Sequence, residues 1–309
     1  MSRLSQATKG RREQPLRVII YGRPGVGKST FGADAPSPFF LSIEGGDDQL
    51  DVTRYTAKTW ADACGVLDEL AAGGHEYRTL VIDTLDALEP LCWQHVCATY
   101  TDKHGKRVET IDGFGYGDGY TKATAEWRKF LRRLDAVRER GLHIILVAHS
   151  HVKAFKSPDT DDYERYEMKL HTGKDGQGAT AVFAEWADAV LFARHEVLTR
   201  KAGDRVKAVA SDVRIVHTED GTAWYAKNRF SLPPTLPLSW QAFADAVAAG
   251  RAMPVVQYRE EIAELLRDQK PELVDRVNAA VAKAAEDGPL LARILNQLRA
   301  TVAPKEKQA

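Results

Sequence analysis

The chain has 309 residues, 43 of them Lys or Arg and 43 Asp or Glu, so its formal net charge is zero and a binder built on bulk positive charge is excluded. Hydrophobic residues make up 44% and charged residues 28%, ordinary globular usage that excludes a disordered chain. The three cysteines cannot staple a secreted scaffold, no apolar run approaches the ~18 residues of a membrane span, and no signal-peptide stretch opens the sequence, so a cytoplasmic protein of a reducing compartment is expected.

Residues 1–16 read as a flexible basic tail: up to Arg17 there are five basic side chains (Arg3, Lys9, Arg11, Arg12, Arg17) against Glu13. From Arg17 the pattern becomes strand, loop, helix, repeated. Arg17 to Tyr21 is a short apolar run ending in a Gly/Pro cluster, and Phe39 to Ile43 is a second. Residues 59–72 set Trp60, Cys64, Leu67 and Leu70 at helical spacing, and Thr79 to Ile82 is a third strand ending in Asp83. Helices are expected over about 85–100 and 121–139, then a strand over His143 to Ala148. Cys92, His95, Cys97 and His104 come nearest to a metal cluster, but Cys-x4-Cys does not put both sulfurs on one helical face. Ala187 to Ala193, Val206 to Thr218 and Ala223 to Ala226 read as sheet extension by hairpins, with Asp220-Gly221 as a turn signal.

Strands that are apolar on both faces and alternate with helices predict an α/β fold with a mostly parallel central sheet flanked by helices. The expected core spans residues 17–248. Beyond it, three apolar stripes interrupted by Pro271 and Gly288-Pro289 predict a small three-helix unit over 254–301, with 302–309 as a flexible tail.

The sharpest local signal is Gly22-Arg23-Pro24-Gly25-Val26-Gly27-Lys28-Ser29-Thr30, which satisfies G-x-x-x-x-G-K-[ST] between an expected strand and an expected helix. Glycines let the backbone curl so that successive N–H groups face a phosphate. Lys28 is expected to reach the β/γ oxygens and Ser29 to ligate Mg²⁺, which makes ATP and Mg²⁺ the expected cofactors. Asp83, at the tip of an apolar strand, is the second expected Mg²⁺ residue, with Thr84 beside it. Glu44, followed by two glycines, is placed to orient an attacking water, and His149 to sense the γ-phosphate. Lys227 and Arg229, spaced i, i+2 on an extended segment, share one side and could reach a neighbouring subunit's nucleotide.

From about Arg17 to Trp240 these residues resemble the RecA-like P-loop core ATPases, in particular the phage-type single-domain relatives that promote single-strand annealing and recombination. The resemblance implies a phosphate loop at Gly22 to Thr30, a catalytic glutamate at Glu44, a magnesium strand at Leu80 to Asp83 and a γ-phosphate sensor at His149. It also implies that Lys227 and Arg229 enter the adjacent subunit's ATP site, that the protein is a ring or filament on single-stranded DNA, and that it works in the cytoplasm of a bacterial host. Glu109 to Tyr120 and about Val152 to Ala179 are flexible segments that fall where that family contacts DNA. Phe114, Tyr116 and Tyr120 could stack on unpaired bases, and Arg128 and Arg132 sit at i, i+4 on one helix face. Charges add little, because residues 101–122 hold four basic and four acidic side chains.

The expected function is therefore a Mg²⁺-dependent ATPase of DNA recombination, slow unless assembled. An ATP-gated adaptor for a replication or recombination protein, docked through the C-terminal helices, is the alternative. A small-molecule phosphotransferase is a third, disfavoured because no arginine-rich lid lies between the core strands.

Overall fold

The computed structural model describes residue 7 and residues 13–156, 161–173, 176–202, 205–251, 255–267, 269–285 and 287–302. Most of the basic N-terminal stretch, and residues 303–309 of the expected C-terminal tail, lie outside these. The chain divides into two compact units, Met1–Ala246 and Val247–Ala309.

The first unit is built on ten strands. In chain order it runs β1 (Arg17–Gly22), α1 (Lys28–Ala33), β2 (Pro38–Ser42), β3 (Thr53–Thr56), α2 (Trp60–Ala72), β4 (Thr79–Asp83), α3 (Leu85–Thr99), a 3-10 turn (Ile111–Phe114) and α4 (Asp118–Glu139). It continues with β5 (His143–Phe155), β6 (Tyr163–Met168), α5 (Ala179–Trp186), β7 (Ala189–Ala202), β8 (Arg205–His217), β9 (Lys227–Asn228), β10 (Thr235–Pro237) and α6 (Trp240–Arg251), which crosses the division. The sheet order is β10-β8-β7-β1-β5-β4-β2-β3, with β6 on β5 and β9 on β7. From β7 to β3 every pairing is parallel, and β6, β8, β9 and β10 join antiparallel. The architecture is a mixed α/β sheet flanked by helices, with an antiparallel extension at one edge and a hairpin off its middle.

Two-residue periodicity divides the buried strand residues between two cores. Ile19, Tyr21, Ile82, Leu146, Val190 and Phe192 face α2 to α5, where Leu67, Leu88, Trp127, Phe130 and Phe183 cover them. On the opposite face Phe31 of α1 packs edge-on against Trp240 and tilted against Phe243 of α6. Each buried side chain of this size contributes roughly 1.5–3 kcal/mol, so both helical layers are held to the sheet mainly by such contacts. Thr59 and Asp62 start α2 with a reciprocal capping box, and Thr84 caps α3 through the Ala87 N–H.

Three expectations need correction. Residues 152–179 are not one flexible loop: β5 runs on to Phe155, β6 returns against it, and only residues 157–160 and 174–175 lie outside the described residues. β7 and β8 do form a hairpin, but its last described pair is Ala202 with Arg205, and Asp220-Gly221 instead begins the turn toward β9, with the Gly221 N–H donating to the Trp224 carbonyl. Ala223 to Ala226 is not a full strand: Trp224 makes a single parallel bridge to Tyr166 of β6, and the strand that follows is Lys227–Asn228, paired with β7.

The second unit contains α7 (Val255–Leu266), α8 (Pro271–Ala284) and α9 (Gly288–Val302) around Tyr258, Ile262, Leu266, Val277, Leu291, Leu295 and Leu298. Pro271 opens α8, where its missing N–H costs nothing. Among the described residues, no helix is long and apolar enough to cross a membrane.

Candidate phosphate-binding site

The loop Arg23–Gly27 leaves the C-terminal end of β1 between β5 on one side and β7 on the other. Gly22 closes the strand where no other residue fits, because a Cβ there would stand 2.2 Å from the Ala193 carbonyl oxygen of β7. Gly27 turns the loop into α1 with φ at +107°, a left-handed conformation that favours glycine. Pro24, Gly25, Gly27, Lys28, Ser29 and Thr30 line a cavity of about 470 Å³. Gly22 and Arg23 serve it through their carbonyls, and Val26 is buried beneath.

Lys28 is 5% exposed, and its ammonium donates to the carbonyls of Gly22 at 3.1 Å and Arg23 at 3.0 Å. Burial lowers its pKa, against the pull of Asp83, Asp86 and Glu44. Asp83 ends β4 with its carboxyl pushed up by burial, partly offset by the Ser29 hydroxyl, and its Oδ2 is buried with no hydrogen-bond partner.

Glu44 follows β2 and reaches the same cavity. The Thr84 hydroxyl donates to Glu44 Oε1 at 2.7 Å while accepting from the Ala87 N–H, so one threonine both caps α3 and sets the glutamate. His149 belongs to β5 and lines the cavity too. Its backbone N–H donates to Asp86 Oδ1 at 2.8 Å and its ring Nδ1 lies 2.9 Å from Asp86 Oδ2. Burial acts to raise Asp86, but the two His149 bonds outweigh it and the carboxyl sits below its usual range. An ionised carboxylate only accepts, so Nδ1 carries the proton and Nε2 is left for another partner. Glu44, Asp86 and His149 bring ligand atoms within 4.8 Å of one another, but both Asp86 oxygens are already bonded to His149, which makes the group a positioning network.

A family model described as an AAA domain matches residues 14–230. The chain belongs to that family. No curated protein matches it. An AAA domain implies nucleotide binding, typically with Mg²⁺, and ATP hydrolysis in general. The residues of this AAA domain fit such a cation: a buried carboxylate oxygen without a partner, beside a serine hydroxyl, is a donor set of hard oxygens. Asp83 and Ser29 would hold the ion.

Other expected site residues lie elsewhere. Lys227 and Arg229 are at the opposite end of the parallel strands from the loop, since Lys227 pairs with Val190, itself opposite Ile19 near the start of β1. Lys227 donates to the carbonyls of Ala184, Glu185 and Ala187, capping α5, and Arg229 reaches Asp188 and the Glu185 carbonyl. In this structure both side chains are engaged within their own chain. Phe114 is 5% exposed and packed in the main core, so it cannot stack on a base without unpacking. Tyr120 lies flat on His171 with ring centroids 3.9 Å apart, and its hydroxyl donates to Asp112. Tyr116 is 99% exposed between two left-handed glycines. Arg128 and Arg132 are exposed on α4.

Sequence reasoning misses Gln49, Leu50 and Arg214 in the cavity lining, and Asp86, which holds His149. Asp86 had a local signal, a second acid one helical turn after Asp83. Arg214 of β8 lines the cavity from the far side, and nothing adjacent to it in sequence marks it.

Proposed function

We propose that this chain is a Mg²⁺-dependent ATPase of the RecA-like class that acts as a homo-oligomer on single-stranded DNA in recombination or annealing. The ATPase half rests on one observation: the unpartnered Asp83 Oδ2 shares a cavity with Lys28, Ser29, Glu44 and His149. Lys28, resting on two loop carbonyls, can exchange them for phosphate oxygens. Glu44, held by Thr84, orients water toward the terminal phosphate, and His149, held by Asp86, offers Nε2 to the same group. Bound Mg²⁺ supplies neutralisation of charge on the phosphate oxygens.

Support for the DNA half comes from Tyr116, displayed in full, and from Arg128 and Arg132, which have no ion pair among the described residues although Lys129 and Arg133 do. Self-assembly rests on the family resemblance alone. The test is ATP hydrolysis against protein concentration, with and without single-stranded DNA and with EDTA. The rate per subunit should rise with both concentration and DNA and vanish with EDTA; a rate independent of concentration and DNA sinks the assembly on DNA.

The engagement of Lys227 and Arg229 within their own chain favours one second reading, an ATP-gated adaptor with little turnover. Tight Mg²⁺-ATP binding without hydrolysis, and loss of a partner on removing residues after Met253, would select it.

A further inference from the structure

We propose that Arg214 is a nucleotide-binding residue in cis, gripping the α-phosphate on the side of the cavity away from hydrolysis. This rests on the ATPase reading of the cavity.

The sheet order gives the cavity two unlike walls. Glu44, Asp83 and His149 come from the ends of β2, β4 and β5, all on one side of β1, and the transferred phosphate belongs where they converge with Lys28. The rest of a nucleotide must then extend toward the other side of the loop, over β7 and β8. Arg214 stands there, on β8 two strands from β1. A Cβ added at Gly27 would lie 3.1 Å from its guanidinium, so this end of the loop and the guanidinium are in close approach.

The backbone that carries Arg214 is fixed on both flanks. It pairs with His195 of β7, and its carbonyl accepts the Leu238 N–H at 3.0 Å on the β10 side. Immediately before it the β7–β8 register slips: Val197 pairs with Ala210 and His195 with Arg214, which leaves Ser211, Asp212 and Val213 without cross-strand partners. Such irregularities re-aim the side chain that follows and recur beside binding sites. The aim here is into the cavity.

The charge balance points the same way. Lys28 is surrounded by Asp83, Asp86 and Glu44, whereas Arg214 has no ion pair or side-chain hydrogen bond among the described residues. An exposed guanidinium that shares a cavity with a lysine and has no carboxylate paired to it among the described residues gains most from an anion, and its planar donors suit a phosphate.

The experiment measures binding of Mg²⁺-ADP, Mg²⁺-ATP and inorganic tripolyphosphate to the full chain and to Arg214→Ala, with steady-state kinetics. Arg214→Ala should weaken all three ligands by about tenfold or more, by a similar factor for ADP and ATP, and KM should rise far more than kcat falls. Thermal stability without ligand should not change, because the side chain is exposed and has no ion pair among the described residues. Unchanged ADP binding in the variant, with normal binding by the wild type, overturns this assignment and leaves the ATPase reading standing. Loss for nucleotides but not for tripolyphosphate makes Arg214 a base contact and overturns the phosphate assignment, as does a collapse of kcat with ADP binding intact. Failure of the wild type to bind any of the three overturns the ATPase reading itself, and this inference with it.

Discussion

Two lysines in the first unit rest on backbone carbonyls, one at each end of the parallel strands, and their surroundings differ in kind. Lys28 shares its cavity with a carboxylate oxygen that has no partner, with Glu44, and with Arg214, which has no ion pair among the described residues. At the other end Lys227 satisfies three carbonyls at the end of α5, while Asp188 collects Arg17, Arg138 and Arg229. The same residue types therefore build a scaffold whose buried carboxylate is paired several times over and a candidate site whose buried carboxylate keeps one oxygen unpaired. Helix-end carbonyls need partners in any state of the protein, but loop carbonyls that hold Lys28 can be released when phosphate arrives. Unanswered charge, rather than charge, separates the two ends.

The largest effects should break this contrast in opposite directions. Glu44→Gln, at the loop end, should lower turnover by about 10²- to 10⁴-fold with nucleotide binding and melting temperature nearly unchanged. Single-turnover hydrolysis against a nucleotide-binding isotherm measures both; a variant that hydrolyses normally removes Glu44 from the water-positioning role. Asp188→Ala, at the scaffold end, should leave nucleotide affinity alone and cost roughly 3–5 kcal/mol of stability, because Arg17 and Arg138 lose the carboxylate they share. Urea unfolding reads that cost, and a loss under about 1 kcal/mol would show that the network is solvated instead.

Between these extremes stands Glu89, one turn beyond Asp86 on α3. It is buried, accepts the His171 N–H with both oxygens, and is pushed by that burial up to about 7. Its folded pKa lies above its unfolded value, so the folded state holds the proton longer and stability falls as pH rises from about 5 toward 8. Glu89→Gln should abolish this slope, gaining roughly 2–3 kcal/mol over the wild type at pH 8 and almost nothing near pH 4.5. Equal unfolding midpoints at pH 8 would mean that water reaches the carboxyl.

What could be read from the sequence follows the same division between local and distant causes. The β1–loop–α1 unit is legible because glycine spacing dictates it, and Glu44 and Asp83 stand out at the ends of apolar runs, as does His149, although β5 continues past it to Phe155. Thr53–Thr56 escaped because this edge strand has three exposed residues and no apolar alternation, and Tyr163–Met168 because it is polar along most of its length. Phe114 and Tyr120 looked like a stacking platform in a glycine-rich loop; the decision to bury one and stack the other on His171 is made by α4 and by a segment some fifty residues away. Arg214 depends on β8 folding back beside β7, a fact no local window contains.

Lys227 sharpens the comparison most finely, because the i, i+2 spacing with Arg229 suits two incompatible jobs. Lys227→Met removes three hydrogen bonds to the end of α5 and the favourable charge there, a loss of about 1–2 kcal/mol. The hydrocarbon stem still covers its neighbours, so folding should survive and the melting temperature should drop by a few degrees. If capping is its whole role, hydrolysis per subunit is unchanged at every protein concentration, with or without single-stranded DNA. A trans-acting finger would instead show itself as a rate that matches the wild type at low concentration and falls behind by about 10³-fold or more where the wild type assembles. That result would require Lys227 to leave α5 on assembly, and hydrogen exchange at the Phe183 to Ala187 segment would then rise when ATP and DNA are added. Slow exchange there under assembling conditions, together with the stability loss, fixes the lysine to the scaffold.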